Sequence, residues 1–138
     1  MPIQAAFRTS LAATAFAALA ACTTVAAPGS RMVADGQSFA MQPGEQVMLA
    51  DHGTLKYLRL VADSRCRPDV QCIRAGDAEI AMQWQPAGGA ARDFSLKTPE
   101  GGKPTPAQSQ DLDGRRVTLL SLARGDAPEA QLQVERIP

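Results

Sequence analysis

The sequence predicts an all-β domain, either an antiparallel β-sandwich or a small barrel, with six or seven strands. Apolar residues alternate with polar ones along most of the chain after residue 36, as in strands that bury one face. Pro, Gly and Asp separate these segments as turns, and no stretch of ten or more residues shows a helical period. A sandwich of this length can be immunoglobulin-like, and the alternation is equally compatible with a barrel.

Seven segments carry the alternation. They are residues 37–41, 45–50, 54–63, 77–85, 91–97, 116–122 and 130–137. The clearest of them has as its inward residues Ala78, Ile80, Met82 and Trp84. In 54–63 the alternation places Leu58 and Leu60 on one face and Tyr57 on the other. The segment 116–122 is apolar on both faces and is therefore predicted to lie centrally.

Turn-forming residues predict the connections between the strands. Residues 51–53, Asp-His-Gly, indicate a hairpin turn, because Asp and Gly accept the positive φ that tight hairpins require. Residues 98–110 contain three prolines and two glycines and are predicted to be irregular. Residues 112–115 indicate a further turn before the strand 116–122.

The N-terminal segment has the order of an export signal. Its first eight residues contain one cation, Arg8, and no anion, and an apolar run too short to span a bilayer follows from residue 11. We therefore divide the chain into a signal peptide (1–21), a flexible tether of small and turn-forming residues (22–36) and the β-domain (37–138).

This signal ends in Leu19-Ala20-Ala21-Cys22. The tetrapeptide resembles the lipobox of bacterial lipoproteins, in which a branched residue and two small residues precede a cysteine. The resemblance implies cleavage before Cys22 and attachment of acyl chains such as palmitate. Thr23 stands where lipoproteins of the inner membrane have aspartate, which implies the outer membrane of a Gram-negative cell, with the domain facing the periplasm. The alternative is an ordinary secretory signal, with Cys22 lost or free.

The charge balance excludes some classes of partner. Removal of residues 1–21 takes away Arg8 and no anion, so 13 basic and 14 acidic residues remain, a net charge of −1. This balance argues against a nucleic-acid partner and against electrostatic attraction to anionic lipid. Covalent lipid is therefore the predicted attachment to the membrane.

Two cysteines remain in the β-domain, Cys66 and Cys72. A disulfide, a metal site and free thiols are all open to such a pair, and the redox compartment decides among them. An exported protein meets an oxidising compartment, so we predict a disulfide.

The residues around this pair resemble a segment shared by an uncharacterised family of bacterial exported proteins and lipoproteins. The matching residues are Asp63, Ser64, Arg65, Cys66, Cys72, Ile73, Ala75 and Gly76. The departures are Arg67, where that family has proline, and Arg74, where an aromatic residue is common. The resemblance implies a shared β-domain with a disulfide loop and implies no activity.

Two interpretations of this segment stay open. In the first it is a rigid corner between two strands, in which Gly76 adopts a conformation forbidden to other residues and Asp63 accepts hydrogen bonds or pairs with Arg65. In the second it displays a recognition surface. The candidate recognition residues are Asp63, Arg65, Arg67, Asp69 and Arg74.

Metal binding and catalysis have little support in the sequence. The soft or borderline metal ligands are Met41, Met48, His52 and the thiols, but they form no His-rich or Met-rich cluster. We therefore predict no metal and no other cofactor. We also predict no enzyme, because His52 lies in a predicted turn, no serine has a nucleophile-elbow context, and Asp111 and Asp113 are explained as turn formers.

The leading functional hypothesis is a non-enzymatic, lipid-anchored envelope domain that binds another envelope protein or polymer through its loops. The alternative is a small-ligand or copper carrier of the periplasm, which needs a concave apolar pocket or clustered ligands. A third hypothesis, an inhibitor of lysozymes, finds no supporting motif in the chain.

Overall fold

The computed structural model describes residues 30–138, so the predicted signal peptide, the lipobox and most of the predicted tether lie outside it. The described strands are β1 (Arg31–Val33), β2 (Ser38–Met41), β3 (Gln46–Leu49), β4 (Thr54–Asp63), β5 (Ala78–Gln85), β6 (Arg92–Lys97), β7 (Ser109–Leu112), β8 (Arg115–Leu122) and β9 (Ala130–Arg136). A short 3-10 helix, Pro106–Gln108, precedes β7. Within residues 30–138 no helix has the length and apolarity needed to cross a membrane.

The strands form two sheets that pack face to face. The five-stranded sheet has the order β1-β3-β4-β5-β6, and the four-stranded sheet has the order β2-β9-β8-β7. All pairs are antiparallel except β1 with β3. No hydrogen-bonded pair of the described strands joins the two sheets, so the predicted sandwich is confirmed and the barrel alternative is wrong. Because β3 to β6 follow one another in one sheet, their order differs from the immunoglobulin order.

All seven predicted strands are present, and two further strands were missed. β1 lies within 22–36, for which the sequence predicted a tether, and β7 begins inside 98–110, for which it predicted irregular structure. Each is three or four residues long and has one buried residue, Val33 in β1 and Leu112 in β7. A single buried residue shows no period, which explains why the alternation did not reveal either strand.

The core lies between the two sheets, and its largest fully buried side chains are Trp84 and Tyr57. Ala78, Ile80, Met82 and Trp84 are fully buried, as the alternation in β5 predicted. Gly53 lies against the Trp84 ring, and a Cβ atom there would lie 2.0 Å from the ring. In the 51–53 hairpin the positive φ belongs to His52 (63°) and not to Asp51 or Gly53, so the expected reason for this glycine was wrong. Packing against Trp84 requires it instead.

β4 departs from regular alternation, because its pairing with β5 contains register shifts. Tyr57 is fully buried with Leu55, whereas Leu58 is only half-buried. The register against β5 shifts between Tyr57 and Arg59 and again between Leu60 and Ala62. These β-bulges change which residues of the strand face the core. Leu60 packs against the core together with Tyr57, so the prediction that these two residues lie on opposite faces was wrong.

The Tyr57 hydroxyl links the sheets. It donates a buried hydrogen bond of 3.0 Å to the carbonyl of Pro128, in the connection between β8 and β9. Burial disfavours the charged phenolate and raises the pKa of Tyr57 to about 12. The hydroxyl therefore holds β4 of the five-stranded sheet against the other sheet only while it keeps its proton.

We expect the contribution of Tyr57 to the free energy of unfolding to be constant up to about pH 10 and then to fall by about 1.4 kcal/mol per pH unit until about pH 12. The unfolded phenol ionises near pH 10, whereas the buried phenol keeps its proton up to about pH 12. Tyr57 is the only tyrosine, so absorbance at 295 nm reports its titration directly. Tyr57→Phe should remove this step and cost about 1 kcal/mol at neutral pH, because the Pro128 carbonyl loses its donor. A folded-state titration near pH 10 would contradict this account.

Candidate functional site

The candidate site is the connection between β4 and β5, residues 64–77, which we call the disulfide loop. Cys66 and Cys72 are bonded to each other, with their Cα atoms 5.9 Å apart, which confirms the predicted disulfide. A turn closed by a hydrogen bond from the Val70 amide to the Arg67 carbonyl (3.1 Å) lies inside the ring. The short covalent ring therefore fixes the shape of the segment that it encloses.

The base of the disulfide loop continues the β4–β5 hairpin. The Ser64 amide donates to the Asp77 carbonyl (2.8 Å), and the Cys66 amide donates to the Ala75 carbonyl (3.1 Å). Gly76 has a φ of 65°, and a Cβ atom there would lie 2.1 Å from the Ser64 carbonyl oxygen. Glycine is required at this position, as the rigid-corner interpretation expected.

Arg65 ties the loop to the opposite sheet. Its guanidinium pairs with the Asp63 carboxylate through Nε (2.8 Å) and Nη2, and it also donates to the carbonyls of Leu122 (2.6 Å) and Ala123 (2.8 Å). The Arg65 side chain is 14% exposed and Asp63 22%. β4 and β8 belong to different sheets, so this one side chain joins the sheets at the end that carries the loop.

The charges of this pair stabilise each other. The Arg65 guanidinium lowers the pKa of Asp63 through side-chain hydrogen bonds, and this effect exceeds the opposing effect of burial. The backbone amide of Arg65 also donates to the Asp63 carboxylate, at 3.1 Å. Arg124 adds a second link between the sheets, since its Nη2 donates to the Cys66 carbonyl at 2.7 Å.

The tip of the loop, residues 67–75, is exposed to solvent throughout. It contains three of the five candidate recognition residues, Arg67, Asp69 and Arg74. The other two, Asp63 and Arg65, lie at the base and pair with each other, so the structure separates the five residues into an anchoring pair and a displayed set. The side chains of the displayed set make no hydrogen bond or ion pair within residues 30–138.

Two apolar residues on this tip were not among the candidates. Ile73 is fully exposed and Val70 is half-exposed. Both are large apolar residues in a segment that has no period of two, and this was the signal available in the sequence. Because loops carry much of the binding function of proteins, a fixed and exposed loop that presents these two side chains is a candidate contact surface.

The residues considered for metal binding do not come together. Met41 is buried in the core, while Met48 points to the outer side of its sheet, since its neighbours Val47 and Leu49 are the buried ones. The two thiols are consumed by the disulfide, and His52 is exposed in the β3–β4 hairpin. In the described part of the chain no group of three or more His, Cys, Asp or Glu side chains could hold a metal ion.

Of the two acidic residues explained as turn formers, Asp113 lies in a turn, whereas Asp111 lies in β7, so the prediction for Asp111 was wrong. Asp113, with a φ of 49°, precedes Gly114 in the tight turn between β7 and β8. Its carboxylate accepts hydrogen bonds from Trp84 Nε1 and Arg92, both at 2.7 Å, and the first of these is the main cause of its lowered pKa. Asp111 pairs with Arg116 through two hydrogen bonds (2.7 and 3.0 Å).

Comparison of the chain with protein-family models, with curated proteins and with solved structures gives no match. The fold and the site therefore define a class of structure and not a family: a two-sheet β-sandwich with a disulfide-closed loop at one end. The resemblance of the central segment to an exported family, and that of the N-terminus to a lipoprotein signal, stay predictions. The lipidation residue Cys22 lies outside the described residues.

We expect Arg65→Ala to lower the free energy of unfolding by about 2–3 kcal/mol, because the substitution leaves the Asp63 carboxylate and two carbonyls without their donor. The loss is smaller than for a fully buried ion pair, because Arg65 and Asp63 are partly exposed. The matched control is Arg67→Ala on the same loop, which should change stability by less than about 0.5 kcal/mol. Urea unfolding measures both. Equal effects for the two variants would show that Arg65 does not anchor the loop.

Proposed function

We propose that this protein is a non-enzymatic, lipid-anchored domain of the cell envelope that binds an envelope component through the tip of the disulfide loop. The observation that carries this proposal is the full exposure of Ile73 on a segment held by a disulfide and by Arg65. A flexible loop could fold an apolar side chain back onto the domain. This loop has a fixed shape and presents Ile73 to solvent.

The rigidity of the loop supports binding in a second way. Association has to offset the conformational entropy of the groups that it immobilises, and a preordered surface loses less of this entropy. Here the disulfide, the β-hairpin base and Arg65 order the loop before any partner arrives. The displayed Val70 and Ile73 supply apolar area, while Arg67 and Arg74 beside them supply charge.

The lipid anchor is the second part of the proposal. It is supported by the order of cationic head, apolar run and lipobox that ends at Cys22. Several acyl chains bind a membrane far more firmly than one. The outer membrane, with the domain on its periplasmic side, is the location that Thr23 favours.

We expect Cys22→Ala to abolish membrane association, because the acyl chains on this sulfur are the only strong anchor that the sequence contains. Fractionation of cells after expression of the full chain measures the change, and incorporation of a palmitate analogue should be lost with it. Cys66→Ser/Cys72→Ser is the matched cysteine control and should keep both lipid and membrane attachment. Retention of Cys22→Ala in the membrane fraction would contradict the anchor.

Binding through the loop is tested by photo-crosslinking in intact cells. A diazirine amino acid at Gln71, in the exposed tip, should give adducts with an envelope component, and the same residue at the exposed His52 should not. Ile73→Ser should lower the adduct yield at position 71 about tenfold or more, since it removes the main apolar contact. Equal adduct yields at the two positions would contradict the proposed binding site.

A further inference from the structure

We propose that the component contacted by the disulfide loop is the surface of the bilayer to which the chain is anchored. This inference rests on the proposed lipid anchor at Cys22. It assigns to the loop tip a second, direct contact with lipid, through Ile73 and Val70 between Arg67 and Arg74.

The sheet topology directs the anchored end of the chain toward the loop. β1 is parallel to β3, and β3 is antiparallel to β4, so β1 and β3 both run away from the end of the sandwich where β4 enters the loop. Ser30, which precedes Arg31, therefore lies on the loop side of Arg31. Ser30 keeps this direction, because its hydroxyl accepts a hydrogen bond of 2.9 Å from the side chain of Gln46, the first residue of β3.

The connection is just long enough for the lipid to reach the level of the loop. Arg31 lies level with Leu55 in β4, through their shared neighbour Val47. The strand continues eight residues from Leu55 to Asp63, about 25 Å at the rise of a β-strand, before the loop begins. Nine residue steps separate Cys22 from Arg31, and a fully extended chain of this length spans about 30 Å. Even a fully extended connection therefore allows the lipid at Cys22 to lie only about 5 Å beyond Asp63, at the level of the loop.

The chemistry of the tip suits a lipid surface better than a protein surface. The exposed tip comprises nine residues, 67–75, whereas a stable protein interface contains about 20–30 residues on each side. Insertion of one or two aliphatic side chains into a bilayer needs no such area. Arg67 and Arg74 outnumber Asp69 on the tip, so the loop is locally cationic although the domain as a whole is not, and it complements anionic headgroups.

Tethering allows so small a contact to be effective. In an anchored domain the contact between loop and bilayer is intramolecular, and the short connection sets its effective concentration. A loop insertion that is too weak to recruit a free protein to the membrane can therefore still be populated in the anchored protein. Burial of the Ile73 side chain changes such an equilibrium about ten- to hundredfold. The loop then fixes the orientation of the domain, with the 51–53 hairpin directed away from the membrane.

The test uses the full lipidated chain reconstituted in vesicles of phosphatidylethanolamine and phosphatidylglycerol, with a diazirine amino acid at Gln71 or at His52. Mass spectrometry after illumination should find lipid adducts at position 71 and few at position 52. Ile73→Ser should reduce the lipid adduct at position 71 about tenfold or more, whereas Leu120→Ser, at an exposed apolar residue of the four-stranded sheet, should not. Both substitutions replace surface side chains, and urea unfolding checks that each variant keeps its fold.

The outcomes separate this inference from the proposed function. Protein adducts at position 71 in cells, without lipid adducts in vesicles, would overturn the bilayer contact and leave the binding loop standing. Equal lipid adducts at positions 71 and 52 would show that the domain has no preferred orientation and would also overturn it. Absence of any adduct at position 71 in both cells and vesicles would overturn the inference and the binding loop together.

Discussion

The pairing of Arg65 with Asp63 is the interaction on which the arrangement of the loop depends. The guanidinium starts from the end of β4 and reaches the carbonyls of Leu122 and Ala123 at the end of β8, so that it closes the sandwich where no strand pairing joins the sheets. Asp63 neutralises the charge of Arg65, and a largely buried cation without a carboxylate would be strongly destabilising. Removal of either partner would therefore free the loop base from the opposite sheet.

A second arginine performs the same task at the other end. Arg115, in the first position of β8, is buried and pairs with Asp35 at 2.6 Å and Asp51 at 2.7 Å, both in connections that adjoin the five-stranded sheet. The guanidinium is the main cause of the lowered pKa of Asp35. A domain of about 110 residues has a core with little surplus stability. Charged links at both ends, with the Tyr57 hydroxyl between them, keep two separate sheets in one fixed relation.

The sequence predicted those features of the structure that are determined by residues close together in the chain. Strands with one buried face alternate, so β5 could be predicted with its inward residues, and the expectation of an oxidising compartment predicted the disulfide. The bulges of β4 could not be predicted, because pairing with β5 and not the order of residues decides where the register shifts. The role of Arg65 was also hidden, since its partners Leu122 and Ala123 lie 57 and 58 residues away along the chain.

The same distinction explains why the candidate recognition residues separate into two groups. In the sequence, arginine and aspartate residues that anchor a loop look the same as those that the loop displays. Only the fold shows that β8 ends beside Arg65 and that nothing in the described domain covers Ile73. Anchoring uses the charges at the base, and this leaves the tip free to carry apolar residues without a structural duty. Because Val70 and Ile73 are displayed at a fixed position beside Arg67 and Arg74, the proposed lipid anchor and the proposed loop contact would act on the same membrane.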